Sequence, residues 1–308
     1  MNPTCRNPAW REEKTLLRLL NEHARTFALT LSLLPCELRK PLTKVYLLAR
    51  ASDTVADAER ISRERRLLIL EDLKTGLDLG SRMKDKCPFE SFRWIRSGEL
   101  SEPEERLIAA VPNIFKMVQE HGDRFELMRL WDTILEGQLF DLRRFSPDCG
   151  PLTREELEIY SGLVAGSVGA TWTRLIVRHH PETLLLPHDE MIRLGTYYGM
   201  GLQLTNILRD RDADLGLGRV YAAMEELPEL FKLAEAWLYE GRVYVSHLRG
   251  GRLRYASEIP LAIAERTLQR IRNFPEAPKV KISRARVYIL LLRLIPSLVL
   301  PRGSNPAS

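Results

Sequence analysis

The stretch Tyr46-Leu-Leu-Ala-Arg-Ala-Ser-Asp-Thr-Val-Ala-Asp57 sets the reading of this chain. Tyr46, Arg50, Asp53 and Asp57 stand at relative positions 0, 4, 7 and 11. At 3.6 residues per turn these four share one helix face. A second stretch, Gln203-Leu-Thr-Asn-Ile-Leu-Arg-Asp-Arg-Asp-Ala-Asp214, repeats the design, with Gln203, Asn206, Asp210 and Asp214 at 0, 3, 7 and 11. Around both polar stripes the residues are largely apolar: Val45, Leu47, Leu48 and Val55 in one, Leu202, Leu204, Ile207 and Leu208 in the other. Such helices are expected to be mostly buried, and buried carboxylates need a partner or a metal. Two aspartates one turn apart also repel each other. The same arrangement built twice implies cations between the pairs.

Outward from these two segments the periodicity stays helical, with no alternating strand pattern. Helices are expected near 9–22, 37–58, 62–79, 102–120, 124–145, 153–178, 188–214, 229–247, 257–274 and 282–297. Ser101-Glu-Pro-Glu104 and Thr153-Arg-Glu-Glu156 read as capping boxes. Prolines, Pro187, Pro228 and Pro260 among them, are expected at or near helix edges. No long Gly/Ser linker and no repeat divides the chain, so the expected architecture is one all-α domain over residues 1–308.

The chain has 308 residues, 44% of them hydrophobic and 28% charged, which excludes a disordered or collagen-like polymer. Its net charge of +5 suits a phosphorylated substrate or an anionic membrane surface, and its basic residues are too dispersed to argue for nucleic acid. Four scattered cysteines form no zinc pattern and suit a reduced, cytoplasmic setting. The most apolar stretch, Val287–Leu300, contains Arg293 and Pro296 and is too short to span a bilayer. Lys279, Lys281, Arg284 and Arg286 precede it, so the stretch fits either a last helix packed on the core or peripheral contact with the inner membrane face, without a transmembrane segment. A monomer is the expected state.

Carboxylate oxygens favour Mg²⁺, with Mn²⁺ as the alternative ion. Mg²⁺ takes one or two protein carboxylates and completes its octahedron with water and substrate phosphate. Two facing Asp-x-x-x-Asp pairs, Asp53/Asp57 and Asp210/Asp214, would hold a diphosphate through such ions. Arg50, Arg209 and Arg219 would add positive charge. The chemistry this suits is ionisation of a diphosphate ester, whose leaving group carries off negative charge. A third segment, Tyr160-Ser-Gly-Leu-Val-Ala-Gly-Ser-Val-Gly169, has unusually little side-chain volume. It fits either close helix packing or a kinked wall beside a long apolar substrate, with Tyr160 overlooking the reaction centre.

Together these residues resemble the squalene/phytoene synthase family. Tyr46–Asp57 looks like its first aspartate-rich motif and Gln203–Asp214, followed by Gly218-Arg219, like its second. Tyr160–Gly169 is similar to its Tyr-x-x-x-Val-Ala-Gly-x-Val-Gly segment, and Arg25-Thr-Phe27 to its substrate loop. Gly137-Gln-x-x-Asp141-Leu, Pro260–Leu268 and Lys281-Ile-Ser283 resemble the bacterial squalene synthase branch. The resemblance covers about residues 20 to 290. It implies an isoprenoid-synthase helical bundle around a central cavity. It also implies head-to-head condensation of two farnesyl diphosphates through presqualene diphosphate, with NADPH reduction to squalene, a hopanoid or sterol precursor. On that resemblance Asp53, Asp57, Asp210 and Asp214 bind magnesium and diphosphate. Arg25, Tyr46, Arg50, Gln203, Asn206, Arg209 and Arg219 line the substrate region, Asn206, Arg219 and Lys281 the nicotinamide region, and Tyr160 handles a proton or stabilises a cation.

Three departures stand out. Ala24 replaces the first serine of the substrate loop, Arg219-Val-Tyr-Ala-Ala223 lacks a proline common in that flap, and no C-terminal membrane anchor is expected, which would point to the bacterial type. A presqualene-diphosphate synthase or a phytoene- or dehydrosqualene-type enzyme is the alternative. A non-catalytic binding or assembly member of the fold would be expected to have lost the aspartates or Arg209, and all are present.

Overall fold

The computed structural model describes residues 8–80, 89–145, 149–273 and Leu294. Among these the chain is helical and contains no strand. The helices are α1 (Pro8–His23), α2 (Arg25–Ser32), α3 (Cys36–Ala56), α4 (Arg63–Gly80), α5 (Glu102–Gln119), α6 (Arg124–Arg144), α7 (Arg154–Ser161), α8 (Ser167–His179), α9 (His188–Gly216), α10 (Leu227–Ser246) and α11 (Arg252–Asn273). The chain divides into two compact units: Met1–Ser32 with Arg39–Leu135, and Leu33–Leu38 with Glu136–Ser308.

In the first unit, Leu47, Leu48, Ala51 and Val55 of α3 are fully buried, as are Ile69, Leu70 and Leu73 of α4 and Leu107 and Val111 of α5. Trp131 is the largest side chain sealed in this core. Its ring lies 6.0 Å from Phe115 and 6.4 Å from Phe89, and its indole N–H donates to Ser52 Oγ at 3.3 Å. That bond meets the one polar need of an otherwise apolar anchor on the face of α3 that also carries the buried leucines.

In the second unit, α9 packs against α8, α10 and α11. Glycine makes this approach possible. A Cβ on Gly169 would lie 2.7 Å from the carbonyl carbon of Gly195, and one on Gly199 would lie 2.8 Å from that of Ala165. The low-volume segment therefore serves close packing along Ala165, Gly166 and Gly169, whereas Gly162 has open space around it. The same segment also departs from the α-helical hydrogen-bond pattern. Between α7 and α8, Gly162–Gly166 forms a single π turn, in which the Ser167 N–H bonds to Gly162 O five residues back.

Both capping boxes are present. Glu104 accepts from the Ser101 N–H at 2.8 Å. Thr153 N–H donates to Glu156 at 2.8 Å, and Glu156 N–H returns to Thr153 Oγ1 at 3.2 Å. The helix expected over 153–178 is present as a continuous run from Arg154 to His179, with the π turn inside it. Other expectations need correction. Helix α2 has no counterpart among the expected helices; its apolar set is only one or two turns long, yet Ala28 and Leu31 are buried. Pro260 lies inside α11 rather than at its edge, because α11 starts at Arg252. Burial of Tyr255, Ala256, Ile259 and Leu261 offsets the backbone bond that proline removes. The helix expected over 282–297 lies outside the described residues apart from Leu294.

Candidate active site

The first aspartate motif closes α3. Leu47, Leu48 and Val55 turn into the core, which leaves the polar stripe on the opposite side. Arg50 and Asp53 form an ion pair with 34% and 39% of their side chains exposed. Burial opposes charge on Arg50, but Asp53, Tyr46 and Asp57 together outweigh it and hold the guanidinium above its ordinary pKa. Asp57 lies one residue past the helix end and is exposed, and its N–H bonds to Asp53 O at 2.9 Å. Tyr46 donates to the backbone carbonyl of His23 at 3.1 Å and its ring sits 4.9 Å from Phe27. Burial pushes its pKa up, so it stays a neutral phenol.

The second motif closes α9. Arg209 pairs with its neighbour Asp210, Nε to Oδ1 at 3.0 Å, and Asp210 keeps 47% of its side chain exposed. Gln203, Asn206 and Asp214 are half-buried. Past the helix end Gly218 adopts φ +75°, which side chains disfavour. The reversal brings the Arg219 N–H back to Asp214 O at 2.8 Å and Arg219 Nε to 3.4 Å from Asp141 on α6.

These carboxylates are therefore not buried, against expectation. The helices bury their flanks, while the acidic stripes run out at the helix ends, and arginines already offset part of the repulsion within each pair. What the structure provides is accessible oxygen donors with a guanidinium alongside, in each motif. Among the described residues no three His, Cys, Asp or Glu side chains cluster closely enough to cage a metal on their own. That donor set fits Mg²⁺, which takes few protein carboxylates and shares its shell with phosphate.

Behind the second motif lies a group with two residues to which the sequence reading assigns no role. Tyr221 donates a short hydrogen bond to Asp141, and its hydroxyl is 3.4 Å from that of Tyr160. All three residues are buried. The two tyrosine rings stack at 5.3 Å, flanked by Phe140 on Tyr160 at 6.1 Å and Phe145 on Tyr221 at 4.8 Å. Burial, then the neighbouring Tyr160 and Asp141, drives the Tyr221 pKa far above its ordinary value, so it remains protonated. Asp141 could have been singled out as the lone acid within the apolar run Leu139-Phe140-Asp141-Leu142. Tyr221 carries no sequence signal of its own. A cavity of about 340 Å³ is lined by Asp214, Arg219, Tyr221 and apolar residues including Ile207, Val220 and Met224. The side chain of Arg25, which opens α2, and all of Lys281 lie outside the described residues.

With this geometry in hand, the comparisons with known proteins are specific. The family model described as squalene/phytoene synthase matches residues 20–233. The chain belongs to the squalene/phytoene synthase family. It is 31% identical over 214 residues to the bifunctional lycopene cyclase/phytoene synthase of Gibberella fujikuroi, covering 68% of this chain and 35% of that one. The chain thus spans about a third of that relative's length. It is 29% identical over 202 residues to the presqualene diphosphate synthase of Rhodopseudomonas palustris, covering 66% of this chain and 59% of that one. The solved structure of TcSQS with the ligand BPH1237 superposes with a TM-score of 0.68 at 20% identity, over 96% of this chain and 93% of that one. The fold is therefore the helical fold of this family, whose members are prenyltransferases acting on prenyl diphosphates. No helix among the described residues is long and apolar enough to cross a membrane.

Proposed function

We propose that this family member is a Mg²⁺-dependent squalene synthase that joins two farnesyl diphosphates head to head and reduces the presqualene diphosphate so formed with NADPH. The observation that carries the reading is the repeated unit of accessible aspartate and adjacent arginine: Arg50–Asp53 with Asp57, and Arg209–Asp210 with Asp214. Magnesium held by these aspartates would supply charge for the departing diphosphate. The chain's own arginines add to that charge, and Arg50 stays protonated at any working pH. Tyr160 is buried among aromatic rings and is suited to face a cation in a water-poor setting. Asn206 and Arg219, with Lys281, are the proposed nicotinamide partners.

The test is product analysis of the purified protein with farnesyl diphosphate and Mg²⁺, with and without NADPH. Presqualene diphosphate alone, then squalene on adding NADPH, supports the reading. A second reading, phytoene-type coupling of C20 units, draws on the 31% identity to the Gibberella fujikuroi enzyme. Turnover of geranylgeranyl diphosphate but not farnesyl diphosphate would favour it.

A further inference from the structure

The geometry of α6, α7 and the segment after α9 points to a proton relay: we propose that Tyr221 passes a proton from Tyr160 to Asp141, which is its terminal acceptor. The inference rests on the prenyl-condensing reading above and adds two residues to it.

The direction follows from proton counting. A phenol has one hydrogen, and Tyr221 commits its own to Asp141 Oδ1. The hydrogen in the Tyr160–Tyr221 contact is therefore the one on Tyr160. The order is Tyr160 O–H to Tyr221 O–H to the Asp141 carboxylate. Pointing its hydrogen inward leaves Tyr160 with oxygen lone pairs available to accept. Asp141 is held ready by Arg219 Nε at 3.4 Å, so the acceptor is a carboxylate backed by a fixed positive charge. The 3.4 Å span between the phenols is long, and such bonds commonly tighten when substrate fills a site. The stacked rings at 5.3 Å and the edge contact of Phe145 at 4.8 Å confine both hydroxyls to this line.

The step balances. Coupling of two prenyl chains after loss of diphosphate leaves a carbocation, and closing a cyclopropane from it requires loss of one C–H proton. The electron pair of that C–H bond forms the ring bond. The proton goes to the Tyr160 oxygen, the Tyr160 hydrogen moves to Tyr221, and the Tyr221 hydrogen moves to Asp141, which becomes a neutral acid. No oxidant or reductant is needed. Because each phenol ends as it began, neither has to persist as a phenolate, which agrees with the burial of both rings.

The experiment compares wild type, Tyr221→Phe, Asp141→Asn and the double variant with farnesyl diphosphate and Mg²⁺ in the absence of NADPH, following diphosphate release and organic products separately. Tyr221→Phe keeps the stacked ring and the Asp141–Arg219 pair and removes only the hydroxyl. The expected result for Tyr221→Phe is cyclopropyl product reduced by about 100-fold or more, the scale of a lost acid–base group. Its KM stays near wild type, its Tm falls only by the few degrees that losing one buried hydrogen bond costs, diphosphate release continues, and water-quenched prenyl alcohols take the place of the product. Asp141→Asn shows the same shift to alcohols, and the double variant is no worse than the poorer single one. Wild-type levels of cyclopropyl product in folded Tyr221→Phe, or fully multiplicative losses in the double variant, would overturn the relay. A wild-type protein that releases diphosphate but forms no coupled product would instead overturn the condensing reading on which it rests.

Discussion

Replacing Gly169 by alanine asks how closely α8 and α9 must approach for the second unit to form. The added Cβ would sit 2.7 Å from the Gly195 carbonyl carbon and closer still to its oxygen. Both atoms are backbone, so no side chain can swing aside; the helices must separate or one must shift. Overpacking of that kind costs about 1–3 kcal/mol, and a backbone obstacle places this case near about 3 kcal/mol. Domains somewhat smaller than this chain lose about 2–4 °C of Tm per kcal/mol, so the expected fall is roughly 6–12 °C. Gly162→Ala is the internal control. Gly162 has helical angles, φ −63° and ψ −46°, and a methyl group added there would meet nothing within 4 Å. Alanine there gains about 0.5–1 kcal/mol of helix propensity, a rise of roughly 1–4 °C. Thermal unfolding followed by circular dichroism in the helical far-ultraviolet band measures both. Equal Tm values for the two variants, or a more stable Gly169→Ala, would refute the claim that this glycine exists for backbone approach.

Three further outcomes are expected. Asp210→Asn should abolish prenyl coupling, at least about 100-fold in kcat, while leaving Tm within about 2 °C, because Asp210 is 47% exposed and holds no core; a Tm collapse in parallel with activity would reassign it to structure. Glu156 is held at a pKa of about 2 by Arg144 and by the Thr153 N–H, well below its ordinary 4.5. Its stabilising effect is thus full above pH 4.5 and lost as pH falls towards 2, so the Tm deficit of Glu156→Gln at pH 7 should narrow across that window; a deficit independent of pH would count against the pairing. Trp131→Phe should cost about 1–3 kcal/mol, since it leaves Ser52 Oγ without its donor and shrinks a fully buried ring; chemical denaturation at unchanged activity would show it.

How much of this was legible in the sequence varies with how local the cause is. The helices of α3 and α9 were readable because Leu47, Leu48 and Val55, or Leu204, Ile207 and Leu208, repeat at the helical period. The capping boxes at Ser101 and Thr153 were readable because each is complete within four residues. The glycine segment was readable as low volume, but its two roles were not separable, because only the partner backbone of Gly195 shows which glycines are crowded. Burial of the aspartates does not follow from the sequence because helix-face counting ignores where a stripe meets a helix end. Asp57 is already past the end of α3 and Asp210 lies near the end of α9. The Asp141–Tyr221–Tyr160 line joins residues 80 and 61 positions apart, a distance across which periodicity says nothing.

The most direct measurement is a magnesium titration of product formation from farnesyl diphosphate by the purified 308-residue chain, with wild type, Asp53→Asn and Asp210→Asn run in parallel and NADPH added in a second series. If accessible aspartates on α3 and α9 bind magnesium and diphosphate, wild type is silent in EDTA and gains activity with Mg²⁺. Each variant then needs much more metal or stays inactive. Presqualene diphosphate is converted to squalene only when NADPH is present. Turnover in EDTA, or variants whose magnesium dependence matches wild type, would contradict that role for the aspartates.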